Sequence, residues 1–327
     1  MANPLWPCLV LPFDVTGTGY SVDPVTLQPM FEGIAEADAD GHWLFGNDNP
    51  TMADMLSGQL MTPRLSTLLT AGGSGHTAPP VLARTGTGQS VPQALTASLS
   101  GGAVNGFTET NPGSADATAG GAVTVTGDGT GTVFNVGIAP APTQNDGSLT
   151  LANATVNRIN GYQTPFDIKR NQTVCLAVKR KALAATTLVV GWWPPGGTRN
   201  PAWMVQISAT DYVAYSRAAG GNFGSDPQAV TPPAGSVGDW LFLAITHDAA
   251  GSRRVDWGGG ASYTKAGVLD IVDANHRVGI GGTLPSYAGG GDYAEMMVFP
   301  NAKTAAEVAA IYARSKARLL PRGITLL

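Results

Sequence analysis

Cysteine is nearly absent: Cys8 and Cys175 are the only thiols in 327 residues. Two thiols cannot build a disulfide framework or a tetrahedral metal cage. Cys175, inside Thr173-Val174-Cys175-Leu176-Ala177-Val178, reads as a buried strand residue. Charge is also scarce, at 13% of residues, yet the hydrophobic fraction of 43% is ordinary. That combination excludes a disordered chain, which needs high charge and little apolar surface. No stretch approaches the roughly 20 apolar residues of a membrane-spanning helix. Met1 to Pro12 has no basic start, and Pro4, Pro7 and Pro12 break its apolar run. A soluble chain without an export signal or membrane insertion is therefore expected.

Lys and Arg are missing altogether from residues 1 to 63, which hold Asp14, Asp23, Glu32, Glu36, Asp38, Asp40, Asp48 and Asp54. The last twenty-seven residues reverse this, with Lys303, Arg314, Lys316, Arg318 and Arg322 against Glu307 alone. Either the two ends attract one another, within a subunit or between subunits, or both are solvated surfaces. A nucleic-acid footprint would need Lys and Arg clustered over one face, and the net charge of −4 opposes it, so no nucleic-acid partner is expected.

Glycine (43) and proline (23) are plentiful, as in a protein of many short strands joined by tight turns. Strands are expected at Gly41 to Phe45, Ser148 to Leu151, Thr173 to Lys179, Thr187 to Gly191, Trp203 to Ile207, Tyr212 to Ser216, Trp240 to His247, Arg253 to Trp257, Arg277 to Ile280 and Tyr293 to Phe299. That spacing is an all-β pattern. Helical periodicity emerges only after Thr304, where Thr304 and Glu307 form a capping box. Val308, Ile311, Tyr312, Ser315 and Leu319 make one buried stripe, Arg314, Lys316 and Arg318 lie outside it, and Pro321 and Gly323 stop the helix.

Residues 1–39 mix prolines and short apolar runs and read as an extended N-terminal arm without a core of its own. Residues 71–140 are poor in charge and rich in Gly, Thr, Ala and Val, and they repeat weakly at about forty residues. Gly73-Ser74-Gly75-His76, Pro80-Val81 and Thr85-Gly86-Thr87-Gly88 are echoed by Pro112-Gly113-Ser114-Ala115-Asp116, Ala122-Val123 and Thr126-Gly127-Asp128-Gly129. A pair of small β units is expected there.

Three pieces in order carry a resemblance. Trp43-Leu44-Phe45 with Asp54-Met55-Leu56-Ser57-Gly58, then Gly238-Asp239-Trp240 through Asp248, then Asp292 through Phe299 with the terminal helix, resemble the laminin-G-like, concanavalin A-like jelly-roll domain. The resemblance implies an all-β jelly-roll sandwich over 40–70 and 141–327, with 71–140 as an inserted β-repeat region and one C-terminal α-helix. It also implies an acidic residue, Glu295, beside the last core residues. The stretch 71–140 resembles the Gly-Ser-Gly-Tyr-type β repeats of bacteriophage fibre and virion proteins, with His76 and Ala115-Asp116 departing from the usual aromatic. Together the resemblances imply a tail- or fibre-associated virion structural protein, made in the host cytoplasm. Its jelly roll would bind host-surface polysaccharide or serve assembly. Its partners would be other virion proteins and copies of itself, as a trimer or larger assembly. A head-decoration or cementing subunit binding only virion partners is the first alternative, and a glycan-cleaving tailspike-like enzyme the second.

The enzyme reading needs two carboxylates about 5–5.5 Å apart. Glu36, Asp38 and Asp40 offer strand spacing, but the alanine-padded tract reads as a solvated turn, and Glu295 has no partner carboxylate in register. None of His42, His76, His247 and His276 lies near a Gly-x-Ser-x-Gly elbow. No catalytic residue is therefore assigned and no enzyme is expected. Laminin-G-like domains hold calcium through carboxylate and backbone oxygens, and Asp48, Asn49 and Asp54 form an oxygen-rich turn, although turn chemistry alone also places Asn and Asp there. No other cofactor is expected. Sugar recognition needs an aromatic face beside polar rim groups. The candidates are Trp192, Trp193, Arg199, Asn200 and Tyr212, set against a core or interface role for the same rings. Trp43, Trp240 and Trp257 read as core.

Overall fold

The computed structural model describes residues 21–22, 29–30, 35–85, 89–91, 93–111, 114–115, 121–153, 160–182, 187–191, 203–208, 210–216, 227–267, 277–282 and 290–327. Two large antiparallel sheets stack face to face. The first contains Gly41–Leu44, Thr143–Asn145, Ser148–Leu151, Gln172–Lys179, Trp240–His247, Arg253–Trp257, Ser262–Lys265 and Gly291–Phe299, with the last of these near its centre. The second runs Gln228–Ala229, Tyr212–Ser216, Trp203–Ile207, Thr187–Gly191, Arg277–Ile280, Tyr162–Asp167 and Thr62–Pro63. The all-β class and the single C-terminal helix are as expected.

Period-two alternation fills the space between the sheets. Val174, Leu176 and Val178 of one strand and Leu241, Leu243 and Ile245 of its neighbour meet Trp203, Val205, Ile207, Tyr212 and Ala214 from the opposite sheet, all buried. The intervening residues Cys175, Ala177, Phe242, Ala244, Met297 and Phe299 form a second apolar layer on the outer face of the first sheet. The helix Ala305–Leu319 covers that layer with Val308, Ile311 and Leu319, and the following Ile324 and Leu326 extend the cover.

The ends of the helix are those its sequence encodes. Glu307 N donates to Thr304 Oγ1 at 3.2 Å, and Thr304 N donates to Glu307 Oε2 at 2.7 Å. Gly323, at φ +74°, takes the left-handed conformation that ends the short turn after it. Thr304→Ala removes one half of the box, and thermal or urea unfolding should show a loss of about 1 kcal/mol.

Leu65–Ser74 and Thr130–Ile138 pair as a long two-stranded ribbon that starts before residue 71. The expected repeat halves do not form two units. Val81–Thr85 and Ala122–Thr126 pair with each other, Ala122 opposite Thr85 and Thr126 opposite Val81, inside one four-stranded sheet with its own small core of Leu82, Leu95, Ala97 and Val104. His76 lies at the start of this region, after the first ribbon strand. Its buried ring packs so closely on Gly129 that a Cβ there would sit 2.4 Å from it.

Candidate functional site

The acidic tract proves to be a structural clamp. Glu36 is only 4% exposed, which overturns its reading as part of a solvated turn. Arg314 donates to both of its carboxylate oxygens, with Nη2 to Oε2 at 2.6 Å, and Arg318 Nη1 reaches Oε1 at 2.7 Å. Arg318 also donates from Nε to Glu295 Oε1 at 2.7 Å, so one guanidinium bridges two buried carboxylates. Glu36 N donates to His42 Nδ1 at 3.0 Å, which leaves the imidazole proton on Nε2, 2.8 Å from the same Glu295 oxygen. Burial alone would raise the Glu295 carboxyl, but the hydrogen bond and field of the His42 imidazole, followed by the charge of Arg318, bring it down to about 2. Glu36 is likewise lowered: burial opposes it, and the hydrogen bonds and charges of Arg314 and Arg318 prevail. Lys303 pairs with Asp38 and Arg322 with Asp48, so the two oppositely charged ends of the chain attract one another within one molecule. Arg318, outside the helix's apolar stripe, is held in this clamp with its side chain only 7% exposed.

A β-bulge puts Glu295 there. Ala177 lies opposite Glu295 but Val178 lies opposite Tyr293, so Ala294 is the extra residue, and Ala294 and Glu295 both face the helix while Tyr293 and Met296 face the inter-sheet core. Two carboxylates are thus brought together, but around one arginine and away from solvent, where they neutralise cations rather than face a substrate.

Asp48, Asn49 and Asp54 do not converge as a calcium cage would require. Asp48 accepts from Arg322 at 2.6 Å. The Asn49 amide donates to the carbonyls of Leu44 and Ala53 and accepts from Ala53 N. Buried Asp54 accepts from the backbone N–H groups of His42, Leu56 and Ser57 and from the Ser57 hydroxyl. Backbone capping and an ion pair account for every one of these side chains, and no cluster of three or more metal-ligating side chains occurs among the described residues.

Of the carbohydrate candidates, Trp192, Trp193, Arg199 and Asn200 lie outside the described residues. Tyr212 is a core residue, 1% exposed, with its ring edge-on to Trp257 at 5.3 Å, so it offers no face to a sugar. It shares the inward parity of Ala214, which a register set by neighbouring strands decides. Trp43 and Trp257 are buried as expected, while Trp240 is half-buried at the edge of the helix-side layer.

The residues sequence reasoning missed lie on the outer face of the second sheet. Gln206 and Tyr215 have the opposite parity to Val205 and Ala214, and the Gln206 amide donates to the Tyr215 hydroxyl at 3.3 Å. Gln206 is 6% exposed and its Oε1 has no hydrogen-bond partner. On the same face, the Arg64 guanidinium lies over Gly279, where a Cβ would come within 2.4 Å of it, and donates to the Gly191 carbonyl at 2.8 Å. Neutral glutamines in strands carry no sequence signal of this kind.

No family model matches the chain, and no curated protein does. Among solved structures it is similar to the botulinum neurotoxin type G receptor binding domain, at 14% identity and TM-score 0.39 over 52% of this chain and 42% of that one. It is also similar to the botulinum neurotoxin serotype D binding domain, at 12% identity and TM-score 0.41 over 54% and 44%. A third is the serotype D ligand binding domain in complex with N-acetylneuraminic acid, at 12% identity and TM-score 0.40 over 54% and 43%. The chain thus spans less than half the length of these matches. Likeness at this level carries no argument about the site, and the fold rests on the sheets themselves.

Proposed function

We propose that this chain is a lectin-like glycan-binding module of a tail- or fibre-associated bacteriophage structural protein, and that it is not an enzyme. The observation that carries the binding reading is the buried, unpartnered Gln206 carbonyl beside the Tyr215 hydroxyl on the second sheet's outer face. An unmet acceptor in a dry setting is costly unless a ligand hydroxyl completes it. A phenol ring with an adjacent amide offers a sugar both an apolar face and a polar rim. The virion assignment rests on the sequence resemblance of 71–140 and of the jelly-roll motifs. The non-enzyme reading is supported by the commitment of Glu36 and Glu295 to Arg318.

Host-surface glycans arrayed against the full chain test this. Gln206→Ala and Tyr215→Phe, which keeps the packed ring and loses the hydroxyl, should each weaken binding at least tenfold with the unfolding midpoint little changed. Absence of binding to any host glycan, with the chain still incorporated in particles, would favour the cementing alternative. Release of reducing ends that disappears in Glu36→Gln would make the chain an enzyme.

A further inference from the structure

A second polar cluster lies inside the sandwich, between the sheets, on the face of the first sheet opposite the helix. Trp203 and Ser216 are Cα partners on adjacent strands of the second sheet, and His247 and Arg253 are Cα partners on adjacent strands of the first. All four side chains share the inward parity of their neighbours Val205, Ala214, Ile245 and Val255, and all are fully buried. The rings of Trp203 and His247 stack at 5.4 Å with a tilt of 35°. Arg253 Nη1 donates to Ser216 Oγ at 2.8 Å, and Ser216 Oγ lies 3.2 Å from His247 Nε2.

The cluster is rich in donors and poor in acceptors. Arg253 keeps its charge, since burial pushes it down only to about 10. Its partners are the Ser216 hydroxyl and the Gln228 amide oxygen, which takes Nε and Nη2 at 3.2 and 3.0 Å, and neither is a carboxylate. The acids nearest in sequence are used elsewhere: Asp248 accepts from Ser252 N within its turn, and Asp256 takes Arg254 and Ser262. The amide of Gln172, opposite His247, is held by Lys169 N and the Asp167 carbonyl. Having accepted from Arg253, the Ser216 hydroxyl has its own proton to give, and His247 Nε2 is the acceptor within reach, which puts the imidazole proton on Nδ1. His247 Nδ1 and Trp203 Nε1 are both buried without a partner. Among the described residues, then, a buried cation and two unmet N–H groups share this part of the inter-sheet core and no carboxylate is paired with them. Such an arrangement is unfavourable unless something supplies the missing charge and lone pairs.

We propose that this cluster is a binding site for a small monovalent anion, a halide or a carboxylate of formate size, held between the sheets by Arg253, Trp203 and His247. The complete burial of all four side chains restricts the ligand to a few atoms, and the absence of an exposed charge makes its role one of completing the core. The proposal is independent of any glycan site on the outer face.

The test uses the full chain. Thermal unfolding is followed at constant ionic strength while a bulky sulfonate is replaced by bromide or by formate, and crystals grown in bromide are examined for anomalous scattering. The midpoint should rise saturably with bromide or formate. Trp203→Phe, which keeps the ring and loses the N–H, should reduce that rise at least threefold, and Arg253→Gln should abolish it. A bromide peak should appear within hydrogen-bonding distance of Arg253 and of Trp203 Nε1 or His247 Nδ1. An indifferent midpoint, an unchanged response in Trp203→Phe, or density showing water alone at the cluster would overturn the proposal. The phenylalanine variant keeps the test decisive if Arg253→Gln does not fold.

Discussion

Glu295→Ala is expected to lower stability by about 3–5 kcal/mol, the range for removing one partner of a buried ion pair. The side chain is fully buried, and its loss leaves the His42 Nε2–H without an acceptor and halves the negative charge around Arg318. Urea unfolding at pH 7 measures the effect, and a change below about 1 kcal/mol would mean that the clamp behaves like a surface pair. The same carboxylate makes stability depend on acid. A Glu held at about 2 in the folded chain and near 4.5 in the unfolded one contributes about 3 kcal/mol by linkage. Because the folded value is the lower one, that contribution is complete above pH 4.5 and disappears as the pH falls toward 2. Glu36, also lowered, adds in the same direction. Wild type should therefore lose stability steeply between pH 4.5 and 2, and Glu295→Ala should show a much shallower slope over that interval.

Trp43→Ala is expected to cost about 3–5 kcal/mol through the cavity it leaves. The ring comes from the short strand Gly41–Leu44, which pairs along the terminal strand with Trp43 opposite Met296, and it fills the inter-sheet core at 0% exposure. Phe166 meets it edge-on at 5.9 Å and 62°. Gly41 is what admits the two rings, because a Cβ there would lie 2.4 Å from Phe166 and 2.6 Å from Trp43. Trp43→Phe should recover a substantial part of the loss by refilling the space, whereas a surface-like response to the alanine change, under 1 kcal/mol in urea, would contradict the packing.

Local chemistry was legible in the sequence and pairing was not. The strands Trp203–Ile207, Tyr212–Ser216, Trp240–His247 and Arg253–Trp257 fall where apolar residues cluster between turn formers. The helix falls where Thr304 and Glu307 cap it. The same reading placed Tyr212 at a sugar site, because alternation tells which residues share a face but not which face is the core. It did not single out the ribbon strand that begins at Leu65, because a ribbon strand has no signal distinguishing it from a sheet strand. It also missed Gln206, whose importance depends on burial without a partner.

The sequence by itself determined the all-β class, the terminal helix with its cap and stripe, and the opposed charges at the two ends. These follow from contacts within one turn or one strand, or from composition alone. Only the tertiary structure decided that Glu36 meets Arg314 and Arg318 across some 280 residues, that the opposed ends meet within a single chain, and that Glu295 faces the helix. The last depends on a single extra residue, Ala294: strict alternation from Tyr293 would send Glu295 into the apolar core, and the bulge turns it instead toward the arginine that neutralises it.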